Sequence, residues 1–120
     1  MRLLVIVAAL LMSASAQARE CIPSSENEVA EVRAAMETTL LDNESARFKE
    51  VCQIKSSSGR LGGFCGLVNS KNEYAAYTGY KRFSAVLNPA RITIVPPSMD
   101  TSIEKGIYCL NCYDESFCRK

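Results

Sequence analysis

Apolar positions fall into three patterns along this chain. Leu3 to Met12 is an unbroken apolar run. From Ser25 onward the spacing becomes helical, with Val29, Val32, Met36 and Leu40 at three- and four-residue steps and acids between them. Ser25 and Glu28 form a capping-box pair, and Asp42-Asn43 punctuates the far end, so a helix is predicted over 25–41. Beyond it the pattern shortens. Phe48 to Lys55, Phe64 to Asn69, Tyr74 to Phe83 and Arg91 to Val95 carry β-branched and aromatic residues among polar ones and predict four strands. Ser56 to Gly63 has loop composition, Lys71-Asn72 and Asn88-Pro89 mark turns, and Pro96-Pro97 ends the last strand. The remainder predicts a loop and a cysteine-rich tail.

One helix ahead of several strands joined by short links implies an α+β fold, because no link is long enough to carry a crossover between parallel strands. The N-terminal amphipathic helix is expected to pack on one face of a small antiparallel sheet. Phe48 to Lys55 and Phe64 to Asn69 would form a hairpin.

The opening run is the right length for a secretion signal and too short for an anchoring span. Met1-Arg2 supplies the positive start, and Ala16-Gln17-Ala18 the small-residue motif, so cleavage is expected between Ala18 and Arg19, with Ala14-Ser15-Ala16 as an earlier alternative. The exported part would then be one domain over 19–120, in the periplasm or outside the cell. No later stretch predicts a membrane span.

All six cysteines lie after that point. An even number in an oxidising compartment predicts three disulfides, with fifteen possible pairings. Cys52 and Cys65 sit near the middle of paired strands, which makes a cross-strand bond geometrically feasible. Cys109, Cys112 and Cys118 crowd the tail and are expected to tie it to the body, with Cys21 a candidate partner. Cys109-Leu110-Asn111-Cys112 also has redox-pair spacing, but no βαβ frame surrounds it, and Asp114 and Glu115 would raise a thiol pKa. A zinc site from Cys109, Cys112, Cys118 and a fourth thiolate competes with oxidation during export. Half-cystines are the favoured reading; no metal and no cofactor are expected.

The chain has no histidine, which excludes Ser-His-Asp and Cys-His catalysis and imidazole-dependent zinc sites. Glu50 and Glu73 could act as a carboxylate pair, but a surface salt bridge explains each as well, so no catalytic residue is assigned. Total charge is near balance, +1 over 120 residues. Its distribution is uneven: Glu20 to Glu44 holds seven acids against Arg33, whereas Ser45 to Ile92 holds eight bases against Glu50 and Glu73. Either these segments neutralise each other or the bases form a ligand surface.

Residues 42–83 contain "DNESARFKEV" and then "FCGLVNSKNEYAAYTGYKRF". This segment resembles a group of small exported proteobacterial proteins. In that group an Asp-Ser-Ala-Arg/Lys-Phe stretch precedes CG-x-VN-x-KN-x-x-x-x-Y-x-G-Y/F-x-x-F. The match runs through Ser45, Ala46, Arg47 and Phe48, then Cys65, Gly66, Val68, Asn69, Lys71 and Asn72, and ends on Tyr77, Gly79, Tyr80 and Phe83. Asn43 stands where proline is frequent, and Ala75-Ala76 where glycine-glycine is frequent. The resemblance implies export and a bacterial source, and it implies no activity.

Lys71, Asn72, Tyr77, Tyr80, Lys81 and Arg82 interleave rings with cations and form the candidate binding surface, against ordinary cross-strand aromatic pairing as the alternative. The sequence therefore favours a small, disulfide-stabilised, non-enzymatic exported binding module. Its expected partner is a protein or an anionic envelope component, with nucleic acid less favoured. A thiol-disulfide oxidoreductase using the C-terminal CxxC, or a small enzyme inhibitor, is the alternative.

Overall fold

The computed structural model describes residues 21–55, 61–87, 89–96, 103–112 and 114–119, apart from the side chains of Lys55, Leu61 and Glu115. The apolar leader and the expected cleavage point at Ala18 and Arg19 lie outside them, as do residues 56–60 of the expected loop. The described chain is α+β: β1 (Ile22–Pro23), α1 (Glu26–Ala35), β2 (Arg47–Lys55), β3 (Leu61–Lys71), β4 (Tyr77–Val86), β5 (Arg91–Ile94), α2 (Ile103–Asn111) and α3 (Glu115–Cys118). All five strands pair antiparallel in the order β1-β2-β3-β4-β5.

Alternation along the strands gives the sheet two differently covered faces. On one, Val51, Phe64, Val68, Phe83 and Ala85 join Val32, Met36 and Ala46 in a buried cluster. The Phe48 and Phe83 rings meet edge to face at 5.7 Å. On the other, Ile54 and Cys65 pack with Val95, Tyr108, Cys109, Cys112 and Phe117, beneath α2 and α3. β2 is bulged between Lys49 and Cys52, with Glu50 at φ 54°. This extra residue keeps Lys49, opposite Leu67, on the same face as Cys52, opposite Cys65.

α1 opens on Ser25: its hydroxyl accepts from the Glu28 amide at 3.2 Å, and the Glu28 carboxylate accepts from the Ser25 amide at 2.9 Å. The same carboxylate takes the Gln53 amide nitrogen at 2.8 Å on both oxygens, tying helix to strand. α1 is shorter than the expected 25–41. The chain leaves it at Met36 and continues in turns, where Thr38 and Thr39 disfavour another helical turn. Arg33 anchors the following loop by donating Nη1 to the carbonyl oxygens of Asn43, Glu44 and Ala46, while Asn43 donates back to the Arg33 carbonyl.

Three other expectations are corrected. β4 begins at Tyr77, not Tyr74, because the Asn72 side-chain oxygen accepts from the amides of Tyr74 and Ala76 and holds 72–76 as a turn. The tail expected as loop contains α2 and α3. Lys105, Tyr108, Cys109 and Cys112 recur at three- and four-residue steps and form the inward side of α2.

The third concerns sulfur. The disulfides are Cys21–Cys52, Cys65–Cys112 and Cys109–Cys118. Neither the cross-strand bond between Cys52 and Cys65 nor a bond from the tail to Cys21 forms. Edge strand β1 lies beside Cys52, with Pro23 as its register partner, which brings Cys21 within 5.0 Å between Cα atoms. Cys65 instead meets the helix packed over its face, 6.0 Å from Cys112. Among the described residues no helix is long and apolar enough to cross a membrane.

Candidate functional site

The lower half of the second sheet face is closed by α2 and α3. The register sets what the other half displays. Arg47 opposes Asn69, Lys49 opposes Leu67, Asn69 and Leu67 oppose Tyr80 and Arg82, and Lys71 opposes Tyr77. These residues share one face. The Arg47 guanidinium lies 4.0 Å from the Tyr77 ring centroid, Lys71 Nζ lies 5.4 Å from the same ring, and Lys49 Nζ lies 4.1 Å from the Tyr80 ring. Each contact uses the negative face of a ring to hold a cation in a fixed place. The Tyr77 hydroxyl donates to the Ser45 carbonyl at 2.8 Å, which fixes that ring on the loop before β2.

Arg82 is held differently. Its Nε donates to Asp114 Oδ2 at 2.9 Å, and its guanidinium lies 4.1 Å from the Phe117 ring centroid. Asp114 also accepts from the Tyr108 hydroxyl at 3.0 Å and from the Ser116 hydroxyl at 3.0 Å. Burial pushes the Asp114 carboxyl up, but the bonds from Arg82, Tyr108 and Ser116 outweigh it and hold it below the ordinary value. Burial and the neighbouring Asp114 charge raise the Tyr108 phenol, so it stays protonated and donating. Arg82 thus fastens α3 to the sheet at the border of the open half.

Among the described residues, no carboxylate lies within ion-pair distance of Arg47, Lys49 or Lys71. Asp42 is close enough to Lys71 to be stabilised by its charge, although hydrogen bonds from Ser45 contribute more to its lowered pKa. No ion pair between described residues joins the acidic 20–44 segment to the basic 45–92 segment. The acids of α1 and the open bases belong to opposite sides of the sheet, so the charge separation in the sequence is also a separation in space.

The structure thus brings together Lys71, Tyr77 and Tyr80 from the expected surface, with Arg82 at its border. Asn72 is occupied by its turn. Lys81 opposes Val68 and points to the other face, one residue out of phase with Arg82. Arg47 and Lys49 complete the open half and were not among the expected binding residues. Their two-residue spacing around the inward Phe48 was the available signal.

Other chemistry is poorly served. Cys109 and Cys112 are bonded to different partners and no described cysteine is free, so CxxC has no dithiol to offer. No group of metal-ligating side chains occurs among the described residues. Glu50 sits at the β2 bulge and Glu73 in the β3–β4 turn, both exposed. A shallow groove of ≈ 310 Å³ beside α1 is lined by Ser24, Glu26, Val29, Ala30 and Arg33. Its guanidinium is already committed to three carbonyls. No protein family, curated protein or solved structure matches the chain.

Proposed function

We propose that this protein is a non-catalytic, disulfide-stabilised binding module of an oxidising, extracytoplasmic compartment, and that it takes an anionic partner on the open half of the sheet. α1 covers the opposite face and leaves this half free. The carrying observation is the pair of cation–ring contacts, Arg47 on Tyr77 and Lys49 on Tyr80, with no carboxylate among the described residues within ion-pair distance of either base. Cations fixed by rings lose little side-chain freedom on binding and keep their charge directed outward. The surface is broad and open, which suits a polymer or an extended surface better than a small molecule, since small-molecule sites are concave.

The test compares two variants of equal charge change. Lys49→Glu and Arg91→Glu each replace an exposed base with an acid, but Arg91 lies on β5, away from the open half. On a phosphate-bearing anionic resin, Lys49→Glu should elute at clearly lower salt than the wild type and Arg91→Glu close to it. Equal shifts for the two variants would mean that only net charge matters, and would remove the site.

A further inference from the structure

α2 buries Lys105 and Tyr108, with Cys112 just past its end, and exposes the opposite side of its cylinder. That side carries Ile103, 79 % exposed, Ile107, 40 %, and Leu110, 80 %. These three positions are four and three residues apart, so they form one apolar stripe along the helix. Because α2 packs on the same sheet face that carries Arg47, Lys49 and Lys71, the stripe and the bases look out from the same side of the molecule.

We propose that this side docks on an anionic lipid bilayer: α2 lays Ile103, Ile107 and Leu110 into the interface while Arg47, Lys49 and Lys71 meet the headgroups. The proposal rests on the reading of the open half as an anion-binding face and names its partner.

Relief decides for a membrane. A helix lying on a sheet stands proud of it by roughly its own diameter, about 10 Å. An interfacial helix sinks its apolar side about 5–10 Å into the headgroup and acyl boundary. Bases recessed by that step lie at the level of the phosphates, where the Tyr77 and Tyr80 rings hold Arg47 and Lys49. A protein partner fits less well. A folded partner would need a matching step of about 10 Å to reach both the stripe and the bases, whereas a bilayer presents apolar interior and phosphates at those two depths without one. Glu104 is exposed on the flank of the stripe and would stay at the polar edge. Neither signal alone gives lasting attachment; a shallow apolar anchor with a basic patch does.

The experiment is vesicle co-sedimentation of the disulfide-bonded protein, with phosphatidylglycerol–phosphatidylcholine vesicles against phosphatidylcholine alone, and soluble polyphosphate binding as a parallel arm. The wild type should bind the anionic vesicles and leave phosphatidylcholine in solution. Ile103→Ser with Leu110→Ser should lower vesicle binding at least tenfold while polyphosphate binding stays unchanged. Lys49→Glu should lower both, roughly fivefold on vesicles. Both serine sites are largely exposed, so thermal stability should not move. If the serine variant bound vesicles as well as the wild type, or if the wild type bound polyphosphate but no vesicle, the membrane would be wrong and the anionic face would stand. If the wild type bound neither, both would fall.

Discussion

Cys52 and Cys65 stand directly opposite each other on β2 and β3, and each is bonded elsewhere, Cys52 to Cys21 and Cys65 to Cys112. The three bridges therefore form one contiguous set across a single sheet face. Cys109 and Cys112, one helical turn apart, link the second bridge to the third. Edge strand, sheet centre, α2 and α3 are stapled in series.

Mapping disulfides in a non-reducing digest should recover 21–52, 65–112 and 109–118, and no 109–112 peptide. The two bridges that involve the tail, Cys65–Cys112 and Cys109–Cys118, differ in sequence separation, 47 residues against 9. Removing Cys65–Cys112 by paired alanine substitution should cost roughly 4 kcal/mol, and removing Cys109–Cys118 less, about 2.5 kcal/mol. Urea midpoints of the two variants check the order.

Arg33→Lys should not be a mild change. A guanidinium serves three carbonyls between Asn43 and Ala46 and lies 5.1 Å from the Phe48 ring centroid. All three bonds come from Nη1; a lysine ammonium ends one bond short of that nitrogen and has no flat face for the ring, so a loss of about 1–3 kcal/mol is expected, read by thermal or urea unfolding.

Asp114 contributes to the acid limb of stability, beside the more exposed Glu28 and Asp42, whose carboxyls are also held low by hydrogen bonds. The folded pKa of Asp114 lies below the ordinary aspartate value of 3.8, so its contribution is fully present above that value. That contribution disappears as pH falls from there through the lower folded value. Asp114→Asn should cost about 2 kcal/mol at neutral pH and flatten the loss of stability below pH 4, because the bonds from Arg82, Tyr108 and Ser116 lose their charged acceptor. Unfolding curves at pH 7 and at several acid values decide it.

Gly63→Ala should destabilise by about 1–3 kcal/mol. Gly63 has φ 147°, and a Cβ there would collide with the Ala85 carbonyl oxygen on β4. Gly62→Ala, where the nearest atom outside its neighbours is the Ile54 carbonyl oxygen at 3.4 Å, should be much milder. A paired thermal melt checks this.

Four of the five strands were legible from their β-branched and aromatic residues and the turn residues between them; β1, only Ile22–Pro23, is too short to carry a pattern and was missed. The antiparallel arrangement followed from link length alone. α2 was missed for a physical reason: its inward side consists of Lys105, Tyr108, Cys109 and Cys112, none of which reads as an aliphatic stripe, and the legible stripe of Ile103, Ile107 and Leu110 faces outward. Gly106 inside it weakened the helical signal further. Disulfide pairing was illegible because it depends on which face α2 covers. Of the binding face, Tyr77, Tyr80 and Lys71 were visible as an interleaved run. Arg47 and Lys49 join them only through the register, and Lys81 leaves them through it.

Amide chemical-shift mapping on addition of soluble polyphosphate tests the central claim most directly. Shifts concentrated at Arg47 to Lys49, Lys71 and Tyr77 to Tyr80, and fading as salt rises, are the predicted result. Shifts spread evenly over the surface, centred on the groove beside α1, or absent at low salt would contradict it.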